Sequence, residues 1–377
     1  MVHKHYYTII ALLLITLCFT ASTPLYAQTY IEDALHRTIT IEKTPSRVIS
    51  LAPSITEILF ALGLEDKVIG VDSISYNDTY LGIHKYVIEN NVTSVGGYWW
   101  STISVETILS LEPDLILADA GAHVKLLDTF EEYNLTTVYL YGGSAKSLQD
   151  IYYDIDVISK IFGVNNTITS QLINDIEENI SKAKTIIDNI GFNRTVRVLV
   201  VVGFYNGIWV AGKATFIDDI VSRIGLVNVA NNVGWYTVNI ETISALNPDV
   251  IVVTNMGGFV TNSTLEEYGL TSIGTKILLL SPKETDLLTR PGPLIGYGAI
   301  LLAKRIAELF PAPTTTTSVI KEYTTSTTTT TETTTTTTAT TTSIQEQESQ
   351  NYIPYIAMAV IAIVALGIGY FLGKKIR

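Results

Sequence analysis

The chain has 377 residues, enough for two domains of ordinary size with segments to spare. Its 36 acidic side chains outnumber 24 basic ones, for a net charge of −12; such a surface repels phosphate backbones, and no nucleic-acid partner is expected. The single cysteine, Cys18, rules out disulfides, thiolate zinc sites and cysteine-held iron–sulfur clusters.

Residues 1–27 read as a secretory signal: a basic start at His3, Lys4 and His5, an apolar stretch from Tyr6 to Phe19, and small or turn-prone residues leading to a cut after Ala27. Cys18 sits inside that apolar stretch behind Leu17, where a lipid-anchor site needs a small residue, so it is not read as one.

From about 45 to 311, short Val/Ile/Leu runs alternate with helical patterns, which predicts βα units and mostly parallel sheets. The first half, 31–163, holds strands at Arg47–Ala52, Lys67–Val71, Asp114–Ala118 and Thr137–Leu140. A stretch free of Pro and Gly, with apolar positions at Ile168, Leu172, Ile176, Ile180 and Ile187, predicts one long helix within 164–191, capped by Asn165 or Thr167 and ended by Gly191. The second half, 194–311, repeats the scheme at Val196–Val202, Gly207–Val210, Asp249–Thr254 and Lys276–Leu280.

A Thr tract follows, with 20 of the 29 residues from Thr314 to Thr342 being Thr. It has nothing to bury, so 312–350 reads as an extended, O-glycosylated stalk. Tyr352–Leu372 is uncharged and, at about 1.5 Å per residue, long enough for one bilayer core, so 352–373 reads as a transmembrane helix. Lys374, Lys375 and Arg377 keep the C-terminus cytoplasmic and everything before the span outside. Seven Asn-x-Ser/Thr sequons, at Asn77, Asn91, Asn134, Asn165, Asn179, Asn193 and Asn262, fall in that exterior part. Stalk, anchor and sequons together point to an archaeal-type surface protein.

The two halves repeat each other. Ser104–Asp119 (SVETILSLEPDLILAD) and Asn239–Thr254 (NIETISALNPDVIVVT) share seven of 16 positions. Each has a Glu opening a helix (Glu106, Glu241), a Pro seven residues later (Pro113, Pro248), an Asp (Asp114, Asp249) and then a buried strand. Trp100 lies six residues before Glu106, and Trp235 six before Glu241. A core requires neither a Glu nor a Trp at matching points before a helix.

At this repeat the sequence resembles the substrate-binding proteins of ABC importers for cobalamin and ferric siderophores, whose two α/β lobes are joined by a single rigid helix. The match spans Arg47 to Glu308 and includes RVISLAPSITEILFALGL (Arg47–Leu64), VIGVD (Val68–Asp72), GKATFIDDIVSRIGLVNV (Gly212–Val229) and RPGPLIGYGAILLAKRI (Arg290–Ile306). The resemblance implies that Glu106 and Glu241 dock onto arginines of an ABC permease, which works with its ATPase. It also implies that Trp100 and Trp235 contact a ligand held between the lobes. Tyr98, Trp99 and Tyr236 flank them as an aromatic wall, while Pro53 and Ser54 reach the cleft after the first strand. Ser54 with Glu57 also fits a helix capping box. Arg290, before Pro–Gly–Pro, either meets an anionic group of the ligand or ties down a loop.

Chemical signatures are otherwise lacking. Gly207-x4-Gly212-Lys213 approaches a phosphate loop, but Ala214 stands where magnesium binding needs a hydroxyl. Past the signal, His36, His84 and His123 are scattered without metal-ligand spacing. The expectation is a monomeric, non-enzymatic receptor with no cofactor or metal of its own. It takes up a corrinoid in preference to a ferric siderophore or haem, and its lobes close little. The alternative is a surface receptor or adhesion protein using the same fold without an importer.

Overall fold

The computed structural model describes residues 28–311. The signal segment, the stalk and the C-terminal apolar span read from the sequence lie outside the described residues. An antiparallel pair, β1 (Thr29–Glu32) and β2 (Thr38–Ile41), leads into the first lobe. That lobe is an all-parallel sheet of β3 (Val48–Ser50), β4 (Val68–Val71), β5 (Thr93–Ser94), β6 (Leu115–Asp119) and β7 (Thr137–Leu140), in spatial order β5-β4-β3-β6-β7. Helices cover both faces, which is why Leu115, Ile116, Leu117 and Ala118 form an unbroken buried apolar run.

The second lobe orders its sheet β11-β9-β8-β12-β13, from β8 (Arg197–Phe204), β9 (Ile208–Ala211), β11 (Trp235–Val238), β12 (Val250–Val253) and β13 (Lys276–Leu279). The short β10 (Val227–Asn228) pairs with β8. Here β9 runs antiparallel to β8, turning back through Asn206 (φ 50°) and Gly207 (φ 135°). Five strands escaped the sequence reading, β1 and β2 of the leading pair among them. β5 and β10 are two residues long, and β11 is an edge strand whose apolar pattern is diluted by exposed positions.

The repeated Pro–Asp step is a clamp. Helix α1 runs Pro53–Ala61 and α2 runs Val105–Ser110. After α2, Glu112 adopts φ 46° before Pro113, and Asp114 accepts from the backbone N–H groups of Ser46 and Arg47. Arg47 in turn donates to the carbonyls of Leu111 and Glu112. In the second lobe Asn247 (φ 47°), Asp249 and Arg197 repeat each part, with Arg197 donating to the carbonyls of Leu246 and Asn247. Each lobe thereby fixes a helix C-terminus to the start of its central strand.

Between the lobes, α3 (Leu148–Phe162) is followed by the long α4 (Asn166–Asp188). Asn165 caps α4 by accepting from the Thr167 N–H at 2.8 Å. Its 23 residues span about 34 Å. The helix ends at Asp188 with Asn189 as its C-cap, short of Gly191, whose N–H donates to the Phe310 carbonyl. Helix α4 packs along the final helix of the described chain, Ile295–Leu309. Gly296 makes this approach possible, because a Cβ there would stand 2.9 Å from Asn179 Cβ and 3.1 Å from the Ile176 carbonyl oxygen.

One local expectation is corrected. The helix after β3 starts at Pro53 with Ala52 as its N-cap and no side-chain cap bond, so Ser54 and Glu57 form no capping box. Proline at the first helical position sets φ for the helix, and the N–H it lacks is one that has no partner within the helix. Glu57 is instead drawn to a partner in the other lobe.

Candidate functional site: the cleft between the lobes

In the first lobe the chemistry gathers where the parallel strands end, the usual place for ligand sites in such sheets. After β5 the chain doubles back in a tight hairpin. Gly96 has φ 111°, and a Cβ on Gly97 would stand 2.4 Å from the Thr102 hydroxyl, so only glycines allow the turn that carries Tyr98, Trp99 and Trp100. The Tyr98 and Trp99 rings stay in contact, centroids 5.1 Å apart and tilted by 59°. The Tyr98 hydroxyl turns inward and donates to Asp119 Oδ2 at 2.7 Å, and its ring meets His123 edge-on at 5.7 Å. Trp99 and Trp100 point outward and are 58% and 40% exposed. Lys125 places its ammonium 4.5 Å above the Trp100 ring.

Asp119, at the end of β6, is buried and fully occupied. Besides Tyr98 it accepts from the N–H groups of Gly121, Ala122 and Gly143. His123 accepts from the Asp119 N–H through Nδ1 and donates through Nε2 to the Tyr98 carbonyl at 2.5 Å. Burial lowers its pKa despite nearby Asp119 and holds it neutral, in the tautomer this network requires. Burial also raises the Tyr98 pKa, reinforced by the Asp119 charge, so the phenol keeps its proton.

The floor then passes from one lobe to the other. Past Gly143, the Ala145 carbonyl accepts from the Phe216 N–H at 3.1 Å, and the Leu148 N–H donates to Asp219 Oδ2 at 2.9 Å. Phe216 opens helix α5 (Phe216–Arg223) and lies edge-on to Trp235, ring centroids 5.9 Å apart. Trp235 is 36% exposed. A continuous run of contacts therefore leads from the Tyr98–Trp100 hairpin through Asp119, Gly143, Ala145 and Phe216 to Trp235.

Several expected contacts lie elsewhere. Alternation along β11 sends Tyr236 to the face opposite Trp235, where its ring packs on the second-lobe core and its hydroxyl accepts from the Asn232 N–H. That face borders a separate concavity of about 590 Å³ lined by Asn206, Asn231, Asn232 and Asn239. Pro53 and Ser54 are buried at the junction of the lobes, where a Cβ on Gly292 would come 3.3 Å from the Ser54 carbonyl oxygen. Arg290 is the tie rather than an open anion receptor. It donates to Glu57 Oε1 at 2.9 Å, bonds Asp78 and pairs with Asp286 at 2.9 Å, committing its guanidinium to three carboxylates. The Tyr80 hydroxyl adds a second tie by donating to the Lys283 carbonyl. Lys213 of the phosphate-loop look-alike is also held, by Asp218 and the Asn228 carbonyl.

Glu106 and Glu241 occupy the same place in the two lobes. Each lies in the first turn of a helix, α2 or α6 (Ile240–Leu246). The caps, Ser104 and Asn239, accept from Thr107 N–H and Thr242 N–H. Both carboxylates are exposed.

The sequence reading missed Lys125 and a group of bare apolar side chains on the second lobe. Tyr205 follows β8, Met256 and Phe259 follow β12, and these strands are paired neighbours. Tyr205 and Phe259 are 74% and 84% exposed. The available signal was a Val-rich strand running into a Gly-flanked aromatic (VVVGFY, MGGF).

Residues 48–268 match the periplasmic binding protein family. The chain is 32% identical over 282 residues to an uncharacterized ABC transporter substrate-binding lipoprotein, YvrC, of Bacillus subtilis, covering 73% of this chain and 84% of that one. It is 25% identical over 276 residues to a vitamin B12-binding protein of Pectobacterium atrosepticum, covering 72% and 92%. Among solved structures, a periplasmic heme binding protein from Pseudomonas aeruginosa aligns with a TM-score of 0.58 at 22% identity over 71% of this chain and 94% of that one, a likeness of fold. With two α/β lobes joined by one long helix, the chain belongs to the periplasmic binding protein family.

Proposed function

We propose that this protein is the exterior solute-binding component of an ABC importer, and that it carries a corrinoid of the cobalamin type to a permease and its ATPase. The observation behind this reading is the pair of half-exposed indoles, Trp100 and Trp235, at the two ends of one cleft floor. Broad aromatic faces bury a large flat ligand without demanding many directed bonds. Lys125 beside Trp100 adds a cation for an acidic substituent such as a corrinoid phosphate. A corrinoid brings its own ring nitrogens to its metal, and the inner donors here, Tyr98 and His123, are engaged within the protein. Relatives whose names include vitamin B12-binding and ABC transporter substrate-binding support the assignment.

A second reading, haem, rests on Tyr205 and Met256, exposed side chains of the kind that can ligate an iron. In both readings the Thr-rich stalk and the apolar C-terminal segment tether the receptor to the outer face of the membrane, and the protein performs no catalysis. Titrating cobalamin, haem and a ferric siderophore into the full-length protein while following tryptophan fluorescence tests the proposal. Saturable quenching by cobalamin at lower concentration than by the other two is expected. Indifference to all three favours a surface receptor without an importer.

A further inference from the structure

The seven sequons are not equivalent once folded. Asn179 is buried in the seam between the long linking helix and the final helix, with its side chain bonded to Tyr297 and its Cβ beside Gly296. A glycan there would force the seam apart whenever it was attached. The Asn77 amide donates to the Ser73 carbonyl, and the next residue, Asp78, is locked to Arg290. Asn165 spends its oxygen as the cap of the linking helix, and Thr264 of the Asn262 sequon is bound into a capping box with Thr261.

Asn91, Asn134 and Asn193 differ. All three are exposed, and Asn91 and Asn134 sit in left-handed turns (φ 53° and 55°). Each precedes a parallel strand: Asn91 before β5, Asn134 before β7, Asn193 before β8. In a parallel sheet the N-terminal ends of the strands share one edge. These asparagines therefore lie at the opposite end of each lobe from the Tyr98–Trp100 hairpin and from Glu106, which follow the C-terminal end of β5. Glu241 likewise follows the C-terminal end of β11, whose Val238 pairs with Ile208 beside Phe204 at the end of β8.

We propose that Asn91, Asn134 and Asn193 are N-glycosylation sites that coat the face remote from the cleft, and that Asn179 stays unmodified. This rests on the exterior location given under the proposed function, not on ligand identity. The co-substrate is a lipid-linked oligosaccharide. The asparagine amide nitrogen forms a bond to the anomeric carbon, the lipid phosphate or diphosphate leaves with the bonding electron pair, and one amide proton is lost.

The test is peptide mapping by mass spectrometry of full-length protein purified from membranes of its own source cells, paired with surface proteolysis of intact cells to establish that the chain is outside. Glycopeptides at Asn91, Asn134 and Asn193 with a bare Asn179 peptide are expected. Three bare peptides from surface-exposed protein, or a glycan on Asn179, would overturn the proposal. The triple variant Asn91→Gln, Asn134→Gln, Asn193→Gln should retain the cobalamin and haem titration curves of the wild type; a changed curve would show that these sites are not remote from the ligand.

Discussion

Arg290 and Glu57, 233 residues apart in the chain, meet across the lobe junction with Nη1 donating to Oε1 at 2.9 Å. The guanidinium faces more negative charge than it can neutralise, because Asp78 and Asp286 share it. Burial pushes the Glu57 carboxyl up to about 8 against the pull of Arg290, and its second oxygen, Oε2, has no hydrogen-bond partner.

That shift makes stability depend on pH. Between 4.5, the ordinary value, and about 8, the folded protein holds a proton on Glu57 that the unfolded chain has released. The Glu57 contribution is therefore full below 4.5 and is lost as pH rises towards the folded value, by at most about 1.4 kcal/mol per pH unit; Asp154, buried and also pushed up to about 8, adds a decline of the same sign. Thermal melts from pH 5 to 8 should decline, and Glu57→Gln, which cannot titrate, should make the decline shallower, leaving the part due to Asp154. An equal slope in the variant would remove Glu57 as its source.

Removing the cation is more damaging. Arg290→Met leaves Glu57, Asp78 and Asp286 facing one another in a buried joint and should cost about 3–5 kcal/mol in chemical denaturation. The double variant with Glu57→Gln should recover part of this loss. Full additivity would mean the two side chains are not coupled.

Ligand affinity should follow ring direction. Trp100→Ala and Trp235→Ala are each expected to weaken binding about tenfold or more, the effect of losing about 1.4 kcal/mol of contact. Tyr236→Phe, on the other face of β11, should bind as wild type. Equilibrium titration with cobalamin separates these outcomes.

Lys125 should matter only to an acidic ligand. Lys125→Gln is expected to reduce affinity for cobalamin and blunt its dependence on salt, while a corrinoid lacking the nucleotide phosphate binds variant and wild type alike. Equal losses for both ligands would assign Lys125 to supporting the indole.

Docking is tested through Glu106 and Glu241. Replacing both with Ala should abolish stimulation of the cognate importer's ATPase while leaving the ligand titration intact. Normal stimulation by the double variant would refute the docking role.

What could be read from the sequence was local. Pro113–Asp114 and Pro248–Asp249 announced themselves because a helix stop, an acid and a buried strand are coded within a few residues, and the cap at Asn165 needs only Thr167. What escaped depends on distant partners. The inward turn of Tyr98 is set by Asp119, 21 residues on, and the role of Arg290 by acids more than 200 residues away. Tyr236 needed the strand identity of β11 before its face could be assigned. Phe216 takes its place in the floor from a bond between its N–H and the Ala145 carbonyl of the other lobe, a partner 71 residues back in the chain.

The missing side chain at Gly296 lets the linking helix and the final helix approach backbone to backbone, and Arg290 ties Glu57 across the lobe junction. We expect a carrier tied in this way to change its outline little when it loads. Vacant and laden copies then present nearly the same profile to the transporter, so vacant ones should compete for the landing site, and uptake should fall when unliganded receptor is in excess.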